Sequence, residues 1–373
     1  MTLHIKGILG TAVLFVATSV SAQTVTSVSV FATGTAVGGT QPDSITDGNG
    51  SVWVEYGNGA VSTGGSGSST IVQYSTSGAI EHSYSIAGLV DGLKFNPVTG
   101  IVWALQNNDG NSTLSLINPA TGVVSAPLKY ASPPFVYGAS SSRGYDDVAF
   151  LNGKVYLSYS NPVNPSDPVL QILNQGNTPS GTLTTTNILT AQQTNPLFTS
   201  STQNPPDIDS LKSTPSGQLV LTSEGDGLGP QWVTSDGRYT LVSNPGTPGQ
   251  SLTNVRVTSS AGVNVNAMDD VVFPGATSGT LYVADTGTNM VYAVTLTGLN
   301  PDTPIISLGS FDEVALVNPI TGVVGAPLLT GLTATHGLDF VAGVPEPATG
   351  SILLLGFAGL AAAGALRRRS TAA

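Results

Sequence analysis

Between residues 23 and 343 the apolar positions fall in short blocks rather than at helical spacing. Val52-Trp53-Val54, Ile101-Val102-Trp103-Ala104-Leu105, Val155-Tyr156-Leu157, Leu219-Val220-Leu221 and Leu281-Tyr282-Val283 are examples. Such blocks, rich in β-branched and aromatic residues and bounded by Gly, Pro, Asn and Asp, predict short strands joined by turns. No stretch of this region carries the 3.6-residue apolar period of an amphipathic helix.

The blocks belong to a longer repeat of roughly fifty to sixty residues. Each copy opens on an Asp-containing strand, crosses a turn and enters an apolar strand. Asp91-Gly92-Leu93-Lys94-Phe95 leads through Asn96-Pro97-Val98-Thr99-Gly100 to Ile101–Leu105. Asp147-Val148-Ala149-Phe150 leads to Val155-Tyr156-Leu157, Asp209-Ser210-Leu211 to Leu219-Val220-Leu221, and Asp270-Val271-Val272-Phe273 to Leu281-Tyr282-Val283. A weaker first copy runs from Asp43-Ser44-Ile45 to Val52-Trp53-Val54, and a partial last copy is His336-Gly337-Leu338-Asp339-Phe340-Val341. A second element recurs as Leu116–Leu128 and Leu316–Leu328, both built on Asn-Pro-x-Thr-Gly-Val-Val. Asn-Pro opens a turn and Gly allows positive φ at its exit, so each reads as a hairpin of the two outer strands. Tyr74–Ile80 and Val233–Leu241 read the same way around Ser77-Gly78 and Asp236-Gly237.

Repeats of this length with about four strands each predict a β-propeller. Five full units and a sixth start imply five to six blades. Closure is expected to bring residues 336–341 and Val25–Phe31 into one sheet. Residues 161–207 and 297–312 read as insertions, and 57–70 as a Gly/Ser loop. A β-sandwich or β-helix is the alternative architecture. The segment Val283-Ala284-Asp285-Thr286-Gly287-Thr288-Asn289-Met290-Val291-Tyr292-Ala293-Val294 resembles the second and third strands of an NHL-type blade.

The two ends of the chain are different. Residues 1–22, with His4 and Lys6 before an apolar run that ends at Val20-Ser21-Ala22, read as a signal peptide. Residues 344–369 hold Val344-Pro345-Glu346-Pro347, an uncharged, Gly-containing run from Ser351 to Leu366, then Arg367-Arg368-Arg369. The run is 16 residues long, about 24 Å as a helix, slightly short of the ~30 Å hydrocarbon core. Arginines after it favour the cytoplasmic side and leave the body outside. Motif, apolar helix and basic end, in that order, resemble the PEP-CTERM sorting signal. The resemblance implies Sec export, recognition by an exosortase, a membrane-held intermediate and delivery to the envelope or extracellular polysaccharide.

Composition narrows the function of the body at residues 23–343. It holds seven basic and 21 acidic residues, a net charge of −14. Such a surface repels phosphate backbones, which argues against nucleic acid and suits cations or neutral polymers. The chain has no cysteine, so disulfides, thiolate chemistry and Cys-ligated zinc are excluded.

The inner-strand acids Asp43, Asp91, Asp146, Asp147, Asp209, Asp269 and Asp270 are expected near one channel mouth, where a ring of carboxylates could hold Ca²⁺. Equally, each could accept backbone N–H bonds in its own strand. His336 stands where the repeat has Asp, and resembles in position the general base of propeller lyases and lactonases. Glu55, Glu224 and Asp226 are expected just after second strands, on loops that reach a channel face; Glu224 and Asp226 could ligate a cation, though without calcium-loop spacing, and Glu55 with Glu224 could serve as glycosidase acids. Trp53 and Trp103 occupy matching positions that suit core packing; Trp232 is a third candidate for stacking on sugars. No Gly-x-Ser-x-Gly, His-Glu-x-x-His or phosphate-loop motif is present. The expectation is an exported, non-enzymatic binding or matrix component; the alternative is a secreted Ca²⁺-dependent hydrolase or lyase.

Overall fold

The structure, a computed structural model, describes residues 23–343 apart from 132–142, 197, 201–205, 207, 228–234 and 266. Residues 1–22 and 344–373, on which the signal-peptide and sorting-signal expectations fall, and Trp232 lie outside the described residues. Among the described residues no helix is long and apolar enough to cross a membrane.

Six antiparallel sheets make a six-bladed propeller. Named from the channel outward, the first blade is Pro42–Gly48, Ser51–Tyr56, Ser68–Ser75 and Ile80–Ala87. The second is Val90–Asn96, Ile101–Gln106, Thr113–Asn118 and Leu128–Lys129, with Val123–Val124 also paired to its third strand. The third is Tyr145–Leu151, Lys154–Tyr159, Pro168–Leu173 and Thr185–Thr190; the fourth is Ile208–Ser213, Leu219–Gly227, Ser235–Ser243 and Ser251–Arg256. The fifth is Val271–Val272, Ile305–Leu308, Glu313–Val317 and Val324–Thr330. The sixth is Thr335–Ala342, Ser278–Asp285, Met290–Thr297 and Thr24–Thr33. Inner strands of successive blades touch all the way round, from the first blade through the sixth and back to the first.

What closes the ring is burial between blades. Each sheet has two apolar faces, and each face meets its neighbour in a separate core. Val54, Tyr56 and Tyr74 pack against Tyr282 and Ala284 between the sixth and first blades. Trp53 and Ile71 pack against Leu93 and Ala104 between the first and second. Four further clusters fill the remaining interfaces. Trp53 and Trp103 are 1% and 0% exposed, so both are core residues. A sandwich or β-helix would not produce this cyclic set of interfaces.

The closing blade holds both ends, as the repeat predicts, but a hairpin stands between them. Thr24–Thr33 pairs with Met290–Thr297, and Thr335–Ala342 pairs with Ser278–Asp285. This corrects the fifth repeat. After Val271–Val272 the chain leaves its blade, builds the second and third strands of the sixth, and then returns to complete the fifth. The NHL-like segment therefore does hold second- and third-strand positions, in the blade after the one its place in the sequence suggests. Local spacing could not reveal the exchange, because Val271 pairs with Ile306 rather than with the nearer Leu281.

Three smaller expectations are also corrected. Residues 161–207 are not an insertion, since they carry the two outer strands of the third blade, and 297–312 contains the second strand of the fifth. Asp236-Gly237 is not a hairpin turn but part of the strand Ser235–Ser243. Gly237 is needed there because a Cβ would lie 2.8 Å from the Val265 carbonyl oxygen.

A candidate metal centre at the carboxylate mouth

The six inner strands share one register. Asp43, Asp91, Asp146, Asp209, Asp269 and His336 stand at the same level, one from each blade, and together line a cavity of about 230 Å³ at one mouth. Local backbone geometry puts them there. In five blades the pairing of inner and second strands slips at this level, between Pro42 and Ile45, Val90 and Gly92, Tyr145 and Val148, Ile208 and Leu211, and opposite Val283 and Asp285. In the fifth blade Asp269 lies just ahead of the short strand Val271–Val272. A bulge gives one strand an extra residue and re-aims its side chain, here toward the channel. Close approach of neighbouring strands requires Gly337 and Gly92, where a Cβ would lie 2.2 Å from the Asp43 carbonyl oxygen and 2.3 Å from that of Asp146.

One residue further along, the acids do different work. Asp147 accepts from the Leu211 N–H of the next blade at 3.0 Å and faces Lys94 Nζ at 3.3 Å. Asp270 accepts from the Leu338 N–H of the next blade at 2.6 Å, from Ser210 Oγ at 2.5 Å and from Lys212 Nζ at 2.5 Å. These two are buried ties between blades. The neck they form with Lys94 and Lys212 encloses only about 30 Å³, space for a water or two. Of the sequence candidates for metal, Asp91 and Asp209 thus reach the mouth, whereas Asp147 and Asp270 are committed below it. Glu224 and Asp226 are not on a channel loop; they belong to the strand Leu219–Gly227, with Asp226 paired to Asp236.

Within the ring, Asp43, Asp269 and His336 form the tightest group. His336 Nδ1 lies 2.8 Å from Asp269 Oδ1 and 3.5 Å from Asp43 Oδ1, and one donor atom from each of the three lies within 4.8 Å of the others. Asp269, with Asp43 behind it, pushes the imidazole pKa up to about 12 despite burial. In this arrangement the His336 imidazole holds its proton near neutral pH. Burial, then repulsion from Asp43 and Asp269, holds Asp91 well above the ordinary carboxylate range. Burial raises Asp269 as well, against the pull of His336.

Glu55 is also misplaced by sequence reasoning. It is not on a loop but inside Ser51–Tyr56, 0% exposed. Burial first, then the charge on Asp43, raises its carboxyl well above the usual range. The equivalent positions in three other blades are Ser158, Thr222 and Ser307, whose hydroxyls accept the N–H of Asp147, Ser210 and Asp270 at 2.8, 3.0 and 2.7 Å. Those hydroxyls satisfy a backbone group freed by the bulge. Glu55 replaces the hydroxyl with a longer acid, and both its carboxyl oxygens are shielded from solvent. Only alignment of the bulges exposes this substitution.

No protein-family model matches the sequence, and no curated protein matches it. Solved structures resemble it in shape alone. A protein described as a gluconolactonase is 14% identical, with 86% of each chain covered and a TM-score of 0.49. The periplasmic gluconolactonase of Pseudomonas aeruginosa is 12% identical, covering 82% of this chain and 89% of that one, with a TM-score of 0.44. A protein of unknown function from Bacteroides caccae is 9% identical, covering 82% and 87%, with a TM-score of 0.46. This chain spans 64% of the hydrazine synthase chain of Kuenenia stuttgartiensis that it also resembles. At such identities none of them lends this chain an activity.

Proposed function

We propose that this chain is an exported propeller that binds a divalent cation at its carboxylate mouth and uses it to hold an oxygen-rich ligand. The observation that carries the reading is the convergence of Asp43, Asp269 and His336, with donor atoms within 4.8 Å of one another, inside a ring of three more carboxylates. The donor set fits a metal: two carboxylates and an imidazole whose proton the incoming cation displaces suit Zn²⁺ or a similar ion. Ca²⁺, which wants six to eight oxygens, would draw on Asp91, Asp146 or Asp209 as well. A bound cation would supply positive charge and open coordination positions for hydroxyl oxygens; the protein residues hold it and disfavour anions through the surrounding negative field. The acidic body, unsuited to nucleic acid, fits a neutral, hydroxyl-rich partner such as extracellular polysaccharide. The signal peptide and PEP-CTERM-like tail supply the route: Sec export, a membrane intermediate and exosortase recognition.

Isothermal titration with Zn²⁺, Mn²⁺ and Ca²⁺ tests the site. We expect one cation per chain, lost on Asp43→Asn with Asp269→Asn; binding that survives the double variant would overturn it. A second reading, a cation-dependent hydrolase, is favoured by the open cavity in front of the three donors, which leaves room for a water and a substrate. A lactone, phosphoester and glycoside panel run with the loaded protein decides between the two. Turnover that disappears in the double variant would establish the enzyme.

A further inference from the structure

The opposite mouth of the channel is chemically unlike the first. The same register that brings Asp or His to one end brings Phe95, Phe150, Phe273 and Phe340 to the other, with Asp47 and Ser213 in the first and fourth blades. They enclose a cavity of about 480 Å³, within the range of small-molecule sites. Its walls are fixed in advance. Phe150 packs edge-on against buried Trp103, with ring centroids 5.1 Å apart. Phe95 fills the space over Gly48, where a Cβ would lie 2.1 Å from the ring. Phe340 is 8% exposed.

The polar groups in this cup converge on one side. Asp47, Asp339, Lys94 and Lys212 line the cavity together. Asp339 Oδ2 is shielded from solvent and has no hydrogen-bond partner. Burial, then the charge on Asp47, raises the Asp339 carboxyl well above its ordinary range. A carboxyl oxygen in such a pair can accept a hydrogen bond, or donate one when it carries the proton. A hydroxyl is the ligand group that matches both states. A charged headgroup would lose hydration against the Phe walls without a free counter-charge to meet it, because Lys94 and Lys212 are already paired with Asp147 and Asp270.

We infer that the phenylalanine mouth is a second binding site, for an uncharged, largely apolar or aromatic molecule that presents one hydroxyl to the side of the cup lined by Asp47 and Asp339. It is separated from the carboxylate mouth by the ion-paired neck and is independent of any metal there.

The test uses 2-naphthol as probe, titrated calorimetrically into the full chain, with 2-methylnaphthalene, 2-naphthoate and 2-naphthylmethylammonium as comparisons. We expect 2-naphthol to bind with one site per chain, and the other three to bind at least about tenfold more weakly, the cost of a lost or mismatched buried polar contact. Ser213→Trp fills the cup from an exposed position at the end of its strand and leaves the core untouched. It should abolish naphthol binding while the thermal midpoint stays unchanged. Asp269→Asn, at the other mouth, should leave naphthol binding intact, which separates this site from the metal site. No naphthol binding to the intact chain, binding that survives Ser213→Trp, or equal affinity for a charged analogue would each overturn the inference.

Discussion

Removing the charge of Asp270 while keeping its shape, as in Asp270→Asn, should be among the most damaging single changes in this protein. The carboxylate receives Lys212 Nζ and Ser210 Oγ at 2.5 Å, Leu338 N–H at 2.6 Å and Val271 N–H at 2.7 Å. These donors come from the fourth, fifth and sixth blades, and Lys212 and Asp270 side chains are only 11% and 8% exposed. The substitution leaves Lys212 buried without its counter-charge, which costs about 3–5 kcal/mol. For a body of roughly 320 residues that is a fall of about 5–7 °C in Tm, from the per-residue unfolding entropy. Urea denaturation monitored by tryptophan fluorescence reads the loss directly, provided the slope m is unchanged. Lys212→Met added to Asp270→Asn should recover part of it, because the double variant no longer buries a lone charge. The pair Arg143–Asp167 is the control. It is 3.8 Å apart, with side chains 31% and 21% exposed, and its removal should cost less than about 1 kcal/mol. A loss below about 1 kcal/mol for Asp270→Asn, or a double variant that is simply additive, would refute the view of the neck as a set of inter-blade ties.

The channel carboxyls also set the pH response. Glu55, Asp91, Asp147, Asp269 and Asp339 are all raised, chiefly by burial, so above about pH 4 the unfolded chain releases protons that the fold retains, and stability declines as pH rises. His336 adds stabilisation that is fully present below its unfolded pKa near 6.5 and is lost only as pH climbs toward about 12. The metal-free protein should therefore show a higher Tm at pH 5 than at pH 8; the reverse order would contradict the assignment. Gly337→Ala places a methyl against the Asp43 carbonyl, 2.2 Å away, and a backbone atom cannot swing aside. A cost of about 1–3 kcal/mol is expected by thermal melt, and a neutral effect would show that the first and sixth blades are not this close. Changing Pro345-Glu346-Pro347 to three alanines should leave the chain in the membrane fraction, and unchanged release would remove the sorting proposal.

Much of the fold was legible because a propeller is written in its repeats. The Asp-x-apolar-x-Phe pattern of the inner strands, visible at Asp91–Phe95, carries the register that stacks acids at one mouth and phenylalanines at the other. The second-strand blocks are buried on both faces, which is why they read as continuous apolar runs. Two features were not legible. The exchange of Ser278–Thr297 into the sixth blade depends on long-range pairing between Val271–Val272 and Ile305–Leu308, and local sequence does not encode which partner wins. The division of labour among the acids depends on bulges. Asp146 and Asp147 are adjacent, as are Asp269 and Asp270, and only the slipped register decides which of each pair faces the mouth and which ties blades together. Glu55 was assigned to a loop for the same reason: its block ends on Tyr56 at 0% exposure, and nothing local shows that the acid before it is buried too.

A crystal structure of the protein soaked separately in Zn²⁺ and Mn²⁺, with anomalous data for each, tests the three donors at the carboxylate mouth most directly. The prediction is one strong anomalous peak within about 2.0–2.2 Å of Asp43, Asp269 and His336, absent from crystals of the Asp43→Asn, Asp269→Asn variant. A mouth without a peak, with His336 still clamped between the two carboxylates, would contradict it.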